Sequence, residues 1–250
     1  VLFQMKGDLV STLRDLRRME ALDPEAYGFH AHRCMTLMDF GAVDEAEACL
    51  RPLAAKAPDS REVLAAQVLL ALAQGDSKAA LASIDRAPND SLANMRAWVF
   101  LQRGQDAEAL EFHRKSRPQL FETPLGKVWP GEAAAAVDAG TALLDTGDAA
   151  HGRALIEAGM AAAATRPYPV FVAGRGWIEV FGHARLGDKD AAFAAMQRAI
   201  DAGFFQRLVW LDADPLLADL RKDPRYAAIT APVRAAADAQ VAAARKAGLL

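Results

Sequence analysis

The residues able to do chemistry are few and scattered. Five histidines stand at His30, His32, His113, His151 and His183, and the only cysteines are Cys34 and Cys49. His30 and His32 are two positions apart, so on a helix they diverge by about 200° and do not share a metal. Two cysteines make no structural metal framework. Buried free thiols are their expected state, because free cysteine is among the most buried residue types. Oxidation across a helical hairpin is the alternative in an exported protein. No HExxH, paired CxxC, GxSxG or phosphate-loop pattern occurs in the sequence. Gly174-Arg175-Gly176 is half a dinucleotide fingerprint without the third glycine or a preceding parallel strand, and reads as a helix start or packing feature. Acidic pairs such as Asp44 and Glu45 fall at expected helix starts, where capping and the helix dipole account for them. The expectation is therefore a chain with no catalytic residues, no metal and no cofactor.

The elements that would position any site are helices. With 250 residues, 52% of them hydrophobic, the chain can bury a core without disulfides or metals. Alanine, the best helix former, is abundant. The nearest thing to a strand pattern is the short run YPVFV at 168–172, so the fold class is all-α. A net charge of −3 with dispersed Lys and Arg argues against nucleic acid, which selects a basic stripe. No apolar run reaches the roughly 20 residues that span a bilayer, and no signal-peptide pattern precedes the helices. A cytoplasmic location is expected, with the periplasm as the alternative. Two readings of Val1–Gln4 stay open: the end of a protease-tag recognition sequence ahead of Met5, or the end of a native helix.

Glycines recur at Gly7, Gly41 and Gly75, each 34 residues apart, and the series continues less regularly at Gly104, Gly147 and Gly187. Each is expected to end one helix in the left-handed conformation and admit a short turn to the next. Five positions after the glycine comes a small residue (Ala46, Ala80, Ala109, Gly152, Ala192). Four further on comes a larger one in most units (Leu50, Ile84, Ile156, Met196). That spacing puts both on one helical face. Pro24, Pro58, Pro88 and Pro118 close several units, where a helix must stop.

These residues resemble the tetratricopeptide repeat (TPR) family, best over Tyr27 to Pro58, where Gly41, Ala46, Leu50, Leu53 and Pro58 occupy family positions. The chain departs from the pattern at His30 and Cys34, which stand for the usual Trp and Gly, and at His113, which stands for a large apolar residue. The resemblance implies a right-handed superhelical α-solenoid of antiparallel helix pairs with a C-terminal capping helix. Residues 5–117 read as N-terminal units, 118–130 as a proline-rich crossover and 131–203 as C-terminal units, with 204–250 as the cap. In the crossover, Leu120, Phe121, Val128 and Trp129 are expected to be covered. A second irregular joint falls at 165–170. The stretch from Gly203 resembles the closing segment of TPR regions in bacterial signalling and transcription regulators. In it, Asp214-Pro215 and Asp223-Pro224 mark helix starts. Trp210, Leu211, Leu216, Leu217, Leu220 and Tyr226 are expected to cover the last repeat, before a terminal helix over 231–247.

In that family the first helix of each pair lines a concave face. The inward positions include Met35 and Met38, Leu69 and Leu72, Met95, Trp98 and Leu101, Leu144 and Asp145, and Trp177, Phe181 and Arg185. Such a face is unusually apolar, and its methionines and aromatics suit a partner. The resemblance thus implies a non-enzymatic scaffold or adaptor that takes a peptide or helix, or a second copy of the chain, in an apolar groove. The alternative is a regulatory or sensory module of a larger protein. A third reading is that these side chains pack between neighbouring helices, with 118–130 folded into the groove.

Overall fold

In the computed structural model, which describes residues 7–165, 177–202 and 208–250, every regular element is a helix, and no strand occurs among the described residues. In chain order the α-helices are α1 (Leu9–Leu22), α2 (Tyr27–Asp39), α3 (Val43–Lys56), α4 (Arg61–Ala73), α5 (Ser77–Arg86), α6 (Ala93–Gln102), α7 (Asp106–Ser116), α8 (Ala133–Thr146), α9 (Ala149–Ala164), α10 (Ile178–Arg185), α11 (Lys189–Asp201), α12 (Leu208–Ala213), α13 (Ala218–Arg221) and α14 (Pro224–Lys246). Short 3-10 turns open on proline at Pro88–Asp90, Pro118–Phe121 and Pro215–Leu217. The expectations for Val1–Gln4, for the joint beyond Thr165, for YPVFV, for Gly174-Arg175-Gly176 and for the first residues of the closing segment lie outside the described residues.

The glycine series marks the turns. Gly7, Gly41, Gly75, Gly104, Gly147 and Gly187 all have positive φ, between 66° and 102°. At Gly41 nothing lies within 4 Å of where a Cβ would sit, so the backbone conformation rather than space selects glycine there. After four of the six, an aspartate caps the next helix. Asp8, Asp76, Asp148 and Asp188 each accept a hydrogen bond from the amide three residues on, at 2.9 to 3.3 Å. Ala42 and Gln105 hold the same place in the other two turns and supply no such bond. The small residues Ala46, Ala80, Ala109, Gly152 and Ala192 are buried, as are their partners Leu50, Ile84, Ile156 and Met196. His113 is buried as well, edge-on to Phe112 at 5.6 Å.

The helices group into two compact units, and the division falls after Leu92 rather than at the proline-rich segment. Unit one holds residues 7–92, 208–214 and 227–250. In it α2 pairs with α3 and α4 with α5, the first helices α2 and α4 pack side by side, and α1 covers α2. The part of α14 in this unit is tied down by polar contacts. The Leu9 amide donates to Gln240 Oε1 at 3.2 Å, Arg17 donates to the Gly248 carbonyl at 3.0 Å, and Arg245 pairs with Glu45. Unit two holds residues 93–165, 177–202 and 215–226. In it α6 pairs with α7, α8 with α9 and α10 with α11, and α8 packs beside both α6 and α10.

Three expectations change. The terminal helix starts at Pro224, not 231, and carries Pro232 inside it; the early start follows from proline at the first helical position. In the 118–130 segment Leu120 and Val128 are buried, but Trp129 is 59% exposed, with the Lys127 ammonium 4.1 Å from its ring centre. An ammonium over the indole face gives that ring a partner in water. The segment lies against α7 and against His151 of α9, whose Nε2 is 3.2 Å from the Leu120 carbonyl oxygen. Both are second helices of their pairs. Finally, Cys34 and Cys49 are not free thiols but a disulfide, with Cα atoms 5.6 Å apart. The physical reason is their near-symmetric placement, seven residues before and eight after Gly41, which sets them opposite each other across the α2–α3 hairpin.

Candidate interaction face

The first helices of the pairs carry all ten residues expected to meet a partner, apart from Trp177, which immediately precedes α10. Seven of the ten are buried: Met38, Leu69, Leu72, Trp98, Leu101, Trp177 and Phe181. Met35, Met95 and Arg185 are half-buried. In both units the first helices pack on their paired second helices and on one another, and part of the chain's closing segment packs on them as well.

In unit one the cover is α12, which packs on α2 and α4. Its Leu208, Trp210 and Leu211 are buried. Trp210 Nε1 donates to the Leu69 carbonyl oxygen at 2.9 Å, a bond inside the protein. A buried indole N–H needs such an acceptor, and a helix carbonyl has a second lone pair to offer. The expected roles of Trp210 and Leu211 are therefore corrected. They lie over first helices of the N-terminal pairs rather than over the last repeat. A cavity of about 200 Å³ opens beside α12, bordered by Phe40, Leu208 and Val233, and the Arg234–Asp212 ion pair at 2.6 Å forms one wall.

In unit two the cover is the Pro215–Leu217 turn, which packs on α6 and α10. Leu217, Leu220 and Tyr226 are buried in this unit. Asp214, just before that turn, is fully buried. At the C-terminal ends of α8 and α10, a single guanidinium nitrogen of Arg185, Nη2, donates toward both carboxylate oxygens of Asp145, at 2.5 and 2.6 Å, a charge-assisted pairing of the two side chains. Asp106 is close enough to feel this pair. Its pKa is pushed up, first by burial and then by the Asp145 charge, against the pull of Arg185.

The remaining chemistry-bearing residues do not converge. His30 sits 3.6 Å from a Glu20 carboxylate oxygen, with its other ring nitrogen 3.2 Å from the Pro24 carbonyl oxygen. Burial pushes the His32 imidazole below its usual pKa. Among the described residues no three His, Cys, Asp or Glu side chains come together in a way that could hold a metal ion. No helix among them is long and apolar enough to cross a membrane.

The sequence put nine of the ten residues on first helices and gave the closing segment as a cover, but over the last repeat alone. The signal was present in Leu208-Val209-Trp210-Leu211, whose apolar side chains must go somewhere; which helices would receive them was not written in that run. Comparison of the sequence with protein-family models and with curated proteins gives no match.

Proposed function

We propose that this chain is a non-enzymatic interaction scaffold of the tetratricopeptide kind, a right-handed α-solenoid of helix pairs that holds a protein or peptide partner. The observation that carries the reading is the repeated pair itself. Left-handed glycine turns, buried small residues at a fixed offset and first helices packed side by side recur through both units. The cover formed by α12 and the Pro215–Leu217 turn refines the proposal. In each unit a partner meets the uncovered part of the first helices, where Met35 in unit one and Met95 and Arg185 in unit two keep part of their surface, rather than a deep groove around Trp98 and Trp177. Methionine adapts to varied shapes, which suits such a surface.

The test is photo-crosslinking from probes at Met35 and Met95, with control probes on the second helices at Glu47 and Glu111. Crosslinks concentrated at Met35 and Met95, to a protein or to a second copy of the chain, support the scaffold. Products formed only from the control positions sink it.

A second reading, a regulatory or sensory module within a larger bacterial protein, is favoured by the closing segment, in which Pro215 and Pro224 open helical elements after Asp214 and Asp223. Domain architecture of the full gene separates the two readings. For location, the Cys34–Cys49 disulfide favours the periplasmic alternative over the cytoplasm, where glutathione and thioredoxin keep thiols reduced.

A further inference from the structure

The two sulfurs of the Cys34–Cys49 disulfide stand in different surroundings. Cys34, on α2, is 0% exposed. Cys49, on α3, is half-buried and so keeps part of its residue surface in solvent. Around the bond, α3 is anchored by its apolar face, Ala46, Leu50 and Leu53, all buried. It is also weakened from within, because Pro52 removes the backbone hydrogen bond that residue 52 would give to the Ala48 carbonyl. The covalent tie sits between these two features, one residue past Ala48 and three before Pro52.

We propose that Cys34–Cys49 is a maturation disulfide, made in a thiol-oxidising compartment while the α2–α3 hairpin is still open, and thereafter guarded against reduction because exchange can enter only at Cys49. Formation joins Cys34 Sγ to Cys49 Sγ and breaks the sulfur–sulfur bond of a donor disulfide, either glutathione disulfide or a protein disulfide. Two protons and two electrons pass from the cysteine pair to the donor, which leaves as two thiols. Reduction in the folded state runs the other way. An external thiolate attacks Cys49 Sγ and forms a mixed disulfide there. The electron pair of the broken bond goes to Cys34 Sγ, which must leave as a thiolate inside an apolar core. Burial disfavours the thiolate, and a poor leaving group slows exchange. The hairpin thus behaves as a one-sided lock, easy to close before packing and slow to open after it.

The experiment uses the whole chain, oxidised with glutathione disulfide during refolding. Maleimide labelling without reductant is expected to find no free thiol. Reduction by dithiothreitol in native buffer is expected to be roughly tenfold or more slower than in guanidinium chloride, after correction for the solvent's effect on a model disulfide peptide. Brief exposure to glutathione followed by acid quench and peptide mapping is expected to place the glutathione adduct on Cys49. Two free thiols after oxidative refolding, equal reduction rates in the two solvents, or an adduct on Cys34 would each overturn the proposal. All three readouts use the unmodified sequence, so none depends on a cysteine variant folding.

Discussion

The α2–α3 and α8–α9 hairpins solve the same problem by different means. In both, a left-handed glycine turns the chain and two helices must meet closely a few residues away. The α8–α9 pair closes the gap by removing side chains. A Cβ added to Gly140 would lie 2.6 Å from the Gly152 carbonyl oxygen, one added to Gly152 would lie 2.8 Å from the Gly140 carbonyl oxygen, and one at Gly159 would lie 2.8 Å from the Ala133 carbonyl oxygen. The α2–α3 pair keeps a side chain on each helix and joins them covalently through Cys34 and Cys49. One hairpin is held by dispersion across a backbone-to-backbone seam, the other by a crosslink that restricts the unfolded chain. The repeat pattern fixes that two helices must approach, and the residues at the contact decide whether van der Waals packing or a covalent bond keeps them there.

Replacing Gly140 by Val breaks this contrast most sharply. The clash falls on a backbone oxygen, which cannot rotate away, so α8 and α9 must separate. A loss on the order of 3–4 kcal/mol is expected, at the upper end of overpacking effects. Helix-resolved hydrogen exchange is the measurement, with protection lost across α8 and α9; unchanged protection there would mean the seam is not close-packed. Removing the staple is next in size. The Cys34→Ala, Cys49→Ala double variant frees a loop of sequence separation 15 and is expected to lose about 2–3 kcal/mol. Dithiothreitol should leave the double variant's denaturation midpoint unmoved while lowering that of the parent. Equal midpoints for the oxidised parent and the variant would reduce the disulfide to a bystander.

How far the sequence announced these two regions depends on the range of the physics involved. The turns were legible because a glycine followed by an aspartate is a local signal, complete within four residues. The buried faces of α3, α5, α9 and α11 were legible because a helix repeats every 3.6 residues and the small and large residues kept that step. The disulfide was half legible: its symmetric placement about Gly41 was visible, its oxidation state was not. The cover over the first helices of unit one was illegible, since Trp210 reaches a carbonyl 141 residues earlier in the chain and no local pattern encodes that pairing. Trp129 was misjudged for a related reason. An apolar residue in a proline-rich stretch reads as covered, whereas its ring is exposed beside Lys127, an interaction that costs no core space.

The helix starts that follow the two turns give a smaller contrast. Asp148 caps α9 through the His151 amide, while α3 begins at Ala42 with no side-chain cap and has Asp44 only as a first-turn charge. Asp148→Ala is expected to cost about 1 kcal/mol, the usual value of a lost cap. Asp44→Ala is expected to cost about 0.3–0.5 kcal/mol, because only the dipole interaction goes. Chemical denaturation of the two single variants measures the difference. Equal losses would show that the glycine–aspartate pair adds nothing beyond charge.

The smallest expected effect separates the two units by the sign of its pH dependence. In unit one the Glu45 carboxylate is held below its usual pKa, chiefly by its bond to Arg245. A lowered folded pKa stabilises the fold at pH values above the ordinary carboxylate range, and that contribution is lost as pH falls through the folded value. In unit two Asp106 has the opposite displacement, raised by burial and by Asp145. Its ionisation opposes folding, so stability falls as pH rises from the ordinary aspartate range through the raised value, and the cost vanishes below that range. At pH 7, Glu45→Gln should therefore destabilise and Asp106→Asn should stabilise, each by about 0.5 kcal/mol or less because both groups are partly solvated. As pH falls, Asp106→Asn should converge on the parent below the ordinary aspartate range, and Glu45→Gln only once pH has passed below the lowered folded value of Glu45. Urea denaturation of the two variants and the parent at pH 7 and pH 3 decides the matter. If both differences have the same sign at pH 7, the electrostatic assignment of one unit is wrong, and whichever variant departs from the parent in the unexpected direction identifies it.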